Sequence, residues 1–547
     1  MRAVLRFGTV LLLVAVFKLP AFASATNIYI TQSGVPTGNC TTNVQTPAFF
    51  NNAANWGTGA NQIGPGTTVL ICGAFTFSAG TSGLSVQGSG AVGSPIIIKF
   101  DTGASLSAPY FSTNDGTSPT SGAITISGVN YITVDGGTAC GYTPAGGRAG
   151  SCNGSISSTA DGTALTYQSQ NAGILIGNAT GIDIRNLRIS SIYLRTGTGS
   201  SDSTPAANSA DIWVNGCISC SIHDNQLGDA HSGILWNLDS GATANPLIYH
   251  NYIYHHGWHI NVGGGDNGSK ASGVTIYGNE FTNWQDWADA NATYHTDGII
   301  TYSDASTSSG ASVTGEIYDN YFHGDLGGGT GANAVSYYVS LGVNSKYNVF
   351  NNVLDNTGGA NIYGGLIDIS GQIGGSYPQN GSVVANNTML LNGNQDSCIG
   401  NNGVATFTAD NNICSGSATD WWFSDNSYRP ITSDYNVLYA ATYIASENNG
   451  PGPPSVISSL ATWQNTTAQD THSTTSNPSL SSTYLLQAGS SAIGAGTNLT
   501  SLGIAALNVD RLGNPRPTSG AWDAGANQYS TTTSQLSPPT GLTGVVQ

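Results

Sequence analysis

The sequence predicts an all-β chain wound as a parallel β-solenoid, and three observations lead there. Glycine supplies 73 of 547 residues and charged residues only 8%, which leaves too few charges to coat the outer faces of long amphipathic helices. With 39% hydrophobic residues, 25 Tyr and 10 Trp, the chain can still bury a core, so the low charge does not read as disorder. Most telling is a recurring pattern of two or three β-forming residues, then Asn, then further apolar residues. It appears as "IDIRNLRI", "CSIHDNQL", "LIYHNYIY", "VTIYGNEF", "EIYDNYFH", "NVFNNVLD", "SVVANNTML", "FTADNNIC" and "TSDYNVLY". Its asparagines are Asn186, Asn225, Asn251, Asn279, Asn320, Asn352, Asn387, Asn412 and Asn436, at intervals of about 24 to 41 residues. Self-similarity on that period means stacked units rather than separate domains. Each unit alternates like a strand with one buried face. Stacking at about 4.8 Å would let inward asparagines bond up a ladder. A sandwich would repeat every 8 to 12 residues or so without the long period.

Taken in chain order, the start reads as a secretory signal over residues 1–25. Arg2 and Arg6 precede the apolar run Thr9 to Phe17, which Lys18 interrupts, and small residues follow at Ala21, Ala23 and Ala25. The run is too short to span a membrane, so no transmembrane segment is expected after signal removal. Residues 26–90 are expected to form an N-terminal cap and the first coils. There Thr46 can cap a short helix with Pro47 at its first position, and Phe49, Phe50, Ala53 and Ala54 would give it an apolar face. The β-helix proper is expected over 91–440, C-terminal coils and a cap motif over 441–530, and a tail or linker over 531–547. The eight cysteines fall in near-neighbour pairs, Cys40 with Cys72, Cys140 with Cys152, Cys217 with Cys220 and Cys398 with Cys414. In an exported chain this reads as local disulfides. A net charge of −17 argues against nucleic acid or anionic membrane as partner.

These features resemble the secreted right-handed parallel β-helix proteins of the pectate-lyase-like superfamily over roughly Asn27 to Ser530. "TNIYITQSG", "TPAFFNNAANWG" and "GPGTTVLICGAFTF" are similar to their opening region. "VDRLGNPRPTSGAWDAGANQYS" resembles the last coils of bacterial β-helix proteins with an anchor-type C-terminal region, Asp510, Gly513, Pro515, Arg516, Pro517, Asp523 and Gly525 standing at matching places. There Asp510 and Asp523 are expected to pair with Arg511 or Arg516 and close the stack. The tail "SPPTGLTGVVQ" is like a linker opening a fibronectin-type module. The resemblance implies a right-handed winding, a secreted or cell-surface location outside a bacterial envelope, and an extracellular polysaccharide as partner, with the protein a monomer.

Polar chemistry gathers in one region. Eight of the nine histidines lie between His223 and His323. Aligning units on their asparagines brings "GDAHSGILW", "HHGWHINV" and "YHTDGIITY" to the same part of successive coils. Ser232, Trp258 and Asp297 then stack, as do Ala230, His256 and His295, with Asp229, His231, His255 and His259 close by. Three coils make a patch about 10 Å high, the scale of two carboxyl groups acting on one glycosidic bond. Between Arg195 and Arg429 the only cations are Lys270 and Lys346, so a polyanion would meet mostly Asp and Glu. Carboxylate hydrolysis suits this better than β-elimination, which wants a basic side chain with Ca²⁺ or arginine. "TDG" at Thr296–Asp297–Gly298 is similar to the step that carries the acid in β-helical polygalacturonases, although their G-H-G and R-x-K elements have no match here. The expected catalytic set is Asp297 as acid, Asp289 or Asp266 as base, with His295 and His259. His231, His256, Trp258, Trp284, Trp287 and Lys270 are expected to shape substrate subsites. No cofactor is required by this chemistry, while Asp266 and Asp289 offer Ca²⁺ two carboxylates. The alternatives are a Ca²⁺-dependent polysaccharide lyase and a non-catalytic surface or matrix β-helix that binds glycans.

Overall fold

The computed structural model describes residues 27–530 except 113–117, 161–169, 193–208, 239–242, 264–269, 286–295, 302–312, 325–336, 343–344, 359–364, 371–379, 394–396, 403–405, 424–430 and 448–454. Apart from one small hairpin, the described strands belong to a single sheet that pairs coil to coil. The pairing is parallel from Asn27–Ile30 through to Tyr443–Glu447, and the last strand, Ser455–Ile457, turns antiparallel and ends the stack. Inside, like residues stack on like: Ile174, Ile212, Ile234, Ile260, Ile299, Val339, Ile367 and Ile399 form one continuous aliphatic column. All of them are buried in one core. Continuous branched aliphatics are what a parallel sheet with a shared interior requires.

The asparagine pattern is the main fastening of the coils. From Asn225 to Asn436 each ladder asparagine is buried. From Asn251 onward its side-chain oxygen accepts both the backbone N–H and the Nδ2 of the asparagine one coil earlier, as Asn352 does for Asn320 at 3.0 Å each. Its own Nδ2 also donates to a main-chain carbonyl, as Asn320 does to Ile276 at 3.0 Å. The residue before each ladder position has left-handed backbone: Asp224, His250, Gly278, Asp319, Asn351, Asn386, Asn411 and Tyr435 all have φ between 52° and 61°. Asp, Asn and Gly tolerate that conformation best, which explains the recurring D-N, N-N and G-N dipeptides. Asn186 departs from the expected alignment by one residue. It is itself the left-handed residue, with φ 60°, and Leu187 takes the ladder place by donating its N–H to Asn225 at 3.0 Å.

The two ends differ from expectation. Pro47–Phe50 is a single helical turn, and the Thr46 side chain makes no capping bond to it. Asn52 starts a separate turn by accepting from Ala54 N–H, so Ala53 and Ala54 are exposed and only Phe50 of the expected face is fully buried. At the far end the ladder stops on Asp470, whose buried carboxylate accepts from Asn436 Nδ2 (2.9 Å), Trp463 Nε1 (2.9 Å) and Ser473 Oγ (2.6 Å). The helix Leu460–Thr467, capped by Ser459, brings Trp463 fully buried onto that end.

Residues 477–529 then run back along the left-handed edge. Asn411, Asn386 and Asn351 donate in turn to the carbonyls of Thr497, Asp523 and Val509. Leu499, Ile504, Leu507 and Trp522 pack on Phe350 and Ala385. Asp510 and Asp523 do not pair with Arg511 or Arg516. Asp510 accepts the amides of Leu512, Asn514 and Gln528, and Asp523 those of Gly494 and Tyr529, so each holds its own loop. From the other side the Cys140–Cys152 loop covers the same edge, with Cys140 and Tyr142 donating to the carbonyls of Asp224 and His250. The two coverings meet where Arg511 donates to the Tyr142 hydroxyl. All four expected cysteine pairs are disulfides.

Candidate functional site

The histidine-rich coils turn a shared corner. Cα pairing there runs Ala210, Ser232, Trp258, Asp297, Tyr337 and resumes two residues later at Ile212, Ile234, Ile260, Ile299, Val339. The residue skipped each time is Asp211, Gly233, His259, Gly298 and Tyr338, and it faces inward. A Cβ on Gly233 would come within 2.9 Å of the core methyl of Ile253, and one on Gly298 within 2.9 Å of the Phe322 ring. Two consecutive positions therefore point into the core, which leaves Ser232, Trp258 and Asp297 on the outward side of the corner. The expected stacking of these three, and of Ala230 with His256, matches the pairing.

The inward turn removes three expected site residues from any ligand. His256 is wholly buried, and its Nε2 lies 2.9 Å from Asp211 Oδ2, two coils away. The bond passes Gly233, where a Cβ would lie 3.3 Å from the His256 ring. Burial, and the neighbouring histidines after it, holds His256 well below its usual pKa, so it is neutral and donates to Asp211. His259 is buried 4.3 Å from the Trp284 ring centre and 5.8 Å from that of Phe281. Its Nε2 donates to Thr282 O at 3.2 Å, and burial pushes its pKa down to about 3. Trp284 belongs to the core and packs 5.0 Å from Tyr338. His256, His259 and Trp284 are thus interior structure rather than acid/base or sugar-facing groups.

The outward side keeps Asp297, His231 and Trp258. Asp297 is fully buried and its Oδ1 accepts the Tyr337 amide at 2.9 Å. His231 is 2% exposed, and its ring meets that of half-buried Trp258 edge-on at 4.8 Å. This sets a fixed carboxyl one coil from an indole that an imidazole meets from the other side, groups able to orient a hydroxylated ligand and to exchange a proton with it. Lys270 begins the strand Lys270–Tyr277, its backbone paired with Thr243 rather than with this corner. Asp266, Asp289, Trp287 and His295 lie outside the described residues. The described cluster with metal-ligand spacing, Cys398, Cys414 and Asp420, has both sulfurs tied in a disulfide.

Two polar assemblies escaped the sequence reading. Glu280 is gripped by Arg148 through two bonds of 2.8 and 2.7 Å and by His323 at 2.7 Å, with Arg148 lying 3.9 Å over the Tyr252 ring. Burial opposes ionisation of Glu280, but these partners outweigh it and hold the carboxyl below its usual pKa. Its signal was a lone glutamate in the column Tyr252, Glu280, Tyr321. Two residues before the ladder, His223, Tyr249, Tyr277, Tyr318 and Phe350 stack face to face at 4.4 to 5.0 Å. The repeated Y-x-N spacing marks that stack.

No family model matches the chain, and no curated protein matches it. Among solved structures it is similar to the pectate lyase Pel9A, at 13% identity and a TM-score of 0.35 over 93% of this chain and 97% of that one. It is similar as well to the PL6 alginate lyase AlyGC, at 13% identity and 0.38 over 74% of this chain and 54% of that one. A third likeness is to PfbA, a surface adhesin of Streptococcus pneumoniae, at 12% identity and 0.32 over 71% and 86%. Two lyases and an adhesin at such identities assign no activity to this chain.

Proposed function

We propose that the protein is an exported, carbohydrate-active β-helix enzyme that hydrolyses glycosidic bonds of an extracellular polysaccharide at the Asp297 corner. The observation that carries this reading is the outward column Ser232, Trp258, Asp297, with the carboxyl of Asp297 enclosed and oriented by the Tyr337 amide. A general acid needs a fixed, water-poor position of this kind, and the indole beside it offers an apolar face to a sugar ring. Asp289 or Asp266 supplies the base that activates water. Four disulfides support an oxidising, extracellular setting.

Replacing Asp297 with Asn keeps the shape and the acceptor for Tyr337 but removes the titratable proton. Release of reducing ends from the native polysaccharide should fall by about a hundredfold or more, while the melting temperature stays within about a degree or two. Products should carry no unsaturated ends, and activity should survive a chelator. Unsaturated ends lost on chelation would instead indicate elimination with Ca²⁺ held by Asp266 and Asp289. Binding without cleavage, unchanged in Asp297→Asn, would mark a glycan-binding rod.

A further inference from the structure

The first coils carry a cleft of about 570 Å³ that none of the chemistry above uses. That volume falls in the range of small-molecule sites. Its floor is an outward column of three paired residues, Tyr29, Leu70 and Lys99. One wall is Asn39 and the other is Asn153 with Thr138. Both walls are fixed by covalent and charged fasteners. Asn39 donates through its amide N–H (2.9 Å) and its Nδ2 (2.6 Å) to the carboxylate of Asp101, and Cys40, the next residue, is bonded to Cys72. Cys140 and Cys152 join the chain on either side of the second wall. A cleft whose walls are pinned in this way needs little reordering to bind.

Its polar groups point to a ligand class. The Asp101 carboxylate, which also lines the cleft, keeps its charge and is held by Asn39, while Asp135, next in the Lys99 column, is engaged by Arg185 and Asn186. The exposed ammonium of Lys99 therefore has no carboxylate partner among the described residues, in a chain of net charge −17. Around it stand amide and hydroxyl side chains, Asn153, Asn27 and Thr68, and the apolar surface of Tyr29 and Leu70. We propose that this cleft binds one acidic saccharide unit: Lys99 meets its carboxylate or sulfate, the amides meet its hydroxyls, and Tyr29 with Leu70 takes its apolar face. The unit is held without bond cleavage, so the site anchors a glycan independently of the Asp297 corner.

Calorimetric titration of the whole exported chain with glucuronate, glucose 6-sulfate and glucose tests this. Glucuronate or the sulfate ester should bind, and weaken as salt rises. Lys99→Gln should weaken that binding fivefold or more, Asn153→Ala should weaken it with the fold intact by circular dichroism, and Asp297→Asn should leave it unchanged. The proposal is overturned if no acidic sugar binds, if Lys99→Gln binds as tightly as the parent, if glucose binds equally well, or if Asp297→Asn abolishes binding.

Discussion

The asparagine edge and the Asp297 corner are cut from the same coils, yet they satisfy their polar groups in opposite ways. At the edge each buried amide meets an identical amide one coil away, so the demand and its answer repeat together from Asn225 to Asn436. At the corner the column changes at every coil, from Ala210 through Ser232, Trp258 and Asp297 to Tyr337, and each member needs its own partner. Within a solenoid, repetition lets one pattern satisfy every coil, and a column that changes from coil to coil has to be satisfied residue by residue.

The sharpest way to break this comparison is to interrupt the repeating side. The Asn320 side chain takes part in four bonds of about 3.0 Å, giving two through Nδ2 and accepting two at Oδ1. Asn320→Ala removes a partner from groups on the coil before (Asn279 and Ile276) and the coil after (Asn352), each worth about 1–3 kcal/mol when buried. Urea unfolding should register a loss of about 4 kcal/mol or more, whereas Asn186→Gly, at the left-handed place beside the ladder, gives up one bond to Asp135 and should cost about 1 kcal/mol. Equal losses would mean that the ladder adds nothing beyond turn geometry.

A smaller effect is expected inside the corner. His256→Leu removes the 2.9 Å bond to the buried Asp211 carboxyl, and loss of such a buried hydrogen bond costs up to about 3 kcal/mol. The double variant Asp211→Leu with His256→Leu removes both polar side chains and should recover part of that loss in the same urea titration. A double variant as unstable as the single one would show that the pair is needed for packing, not for its hydrogen bond.

The winding was legible in the sequence because the ladder must repeat. Ser232 and Trp258 both follow their ladder asparagine by seven residues, so aligning on asparagine placed them one above the other. What the alignment could not carry was facing. Strand logic assumes strict alternation, and one skipped residue at the corner sends His259 and Ile260 inward together, reversing the expectation for His259. Contacts between remote segments were equally hidden: Arg148 reaches Glu280 across 132 residues and Arg511 reaches Tyr142 across 369, and no periodicity relates them.

Facing also decides how histidine responds to pH, and this sharpens the comparison with the smallest expected effect. His223 lies on the outer face with Nδ1 2.6 Å from Asp224 and Nε2 2.9 Å from Asp183. Burial works against its charge, but the bonds from Asp183 and Asp224 outweigh it and raise its pKa from 6.5 to about 9. A folded value above the unfolded one means stabilisation that is complete below about pH 6.5 and lost as pH rises through 9. His259 runs the other way, because burial lowers its pKa to about 3; its contribution is present above 6.5 and lost as pH falls toward 3. At about 1.4 kcal/mol per pKa unit, and discounting His223 for partial exposure, the alkaline limb is worth about 2 kcal/mol. Melting temperatures of the parent, His223→Gln and His259→Phe between pH 4 and 10 test this. His223→Gln should be less stable near pH 6 yet decline less between 6.5 and 9.5, and His259→Phe should decline less between 6.5 and 4. If the two variants trace curves parallel to the parent on both limbs, the inward and outward histidines do not differ in charge, and the contrast between a neutral interior and a polar outer face fails.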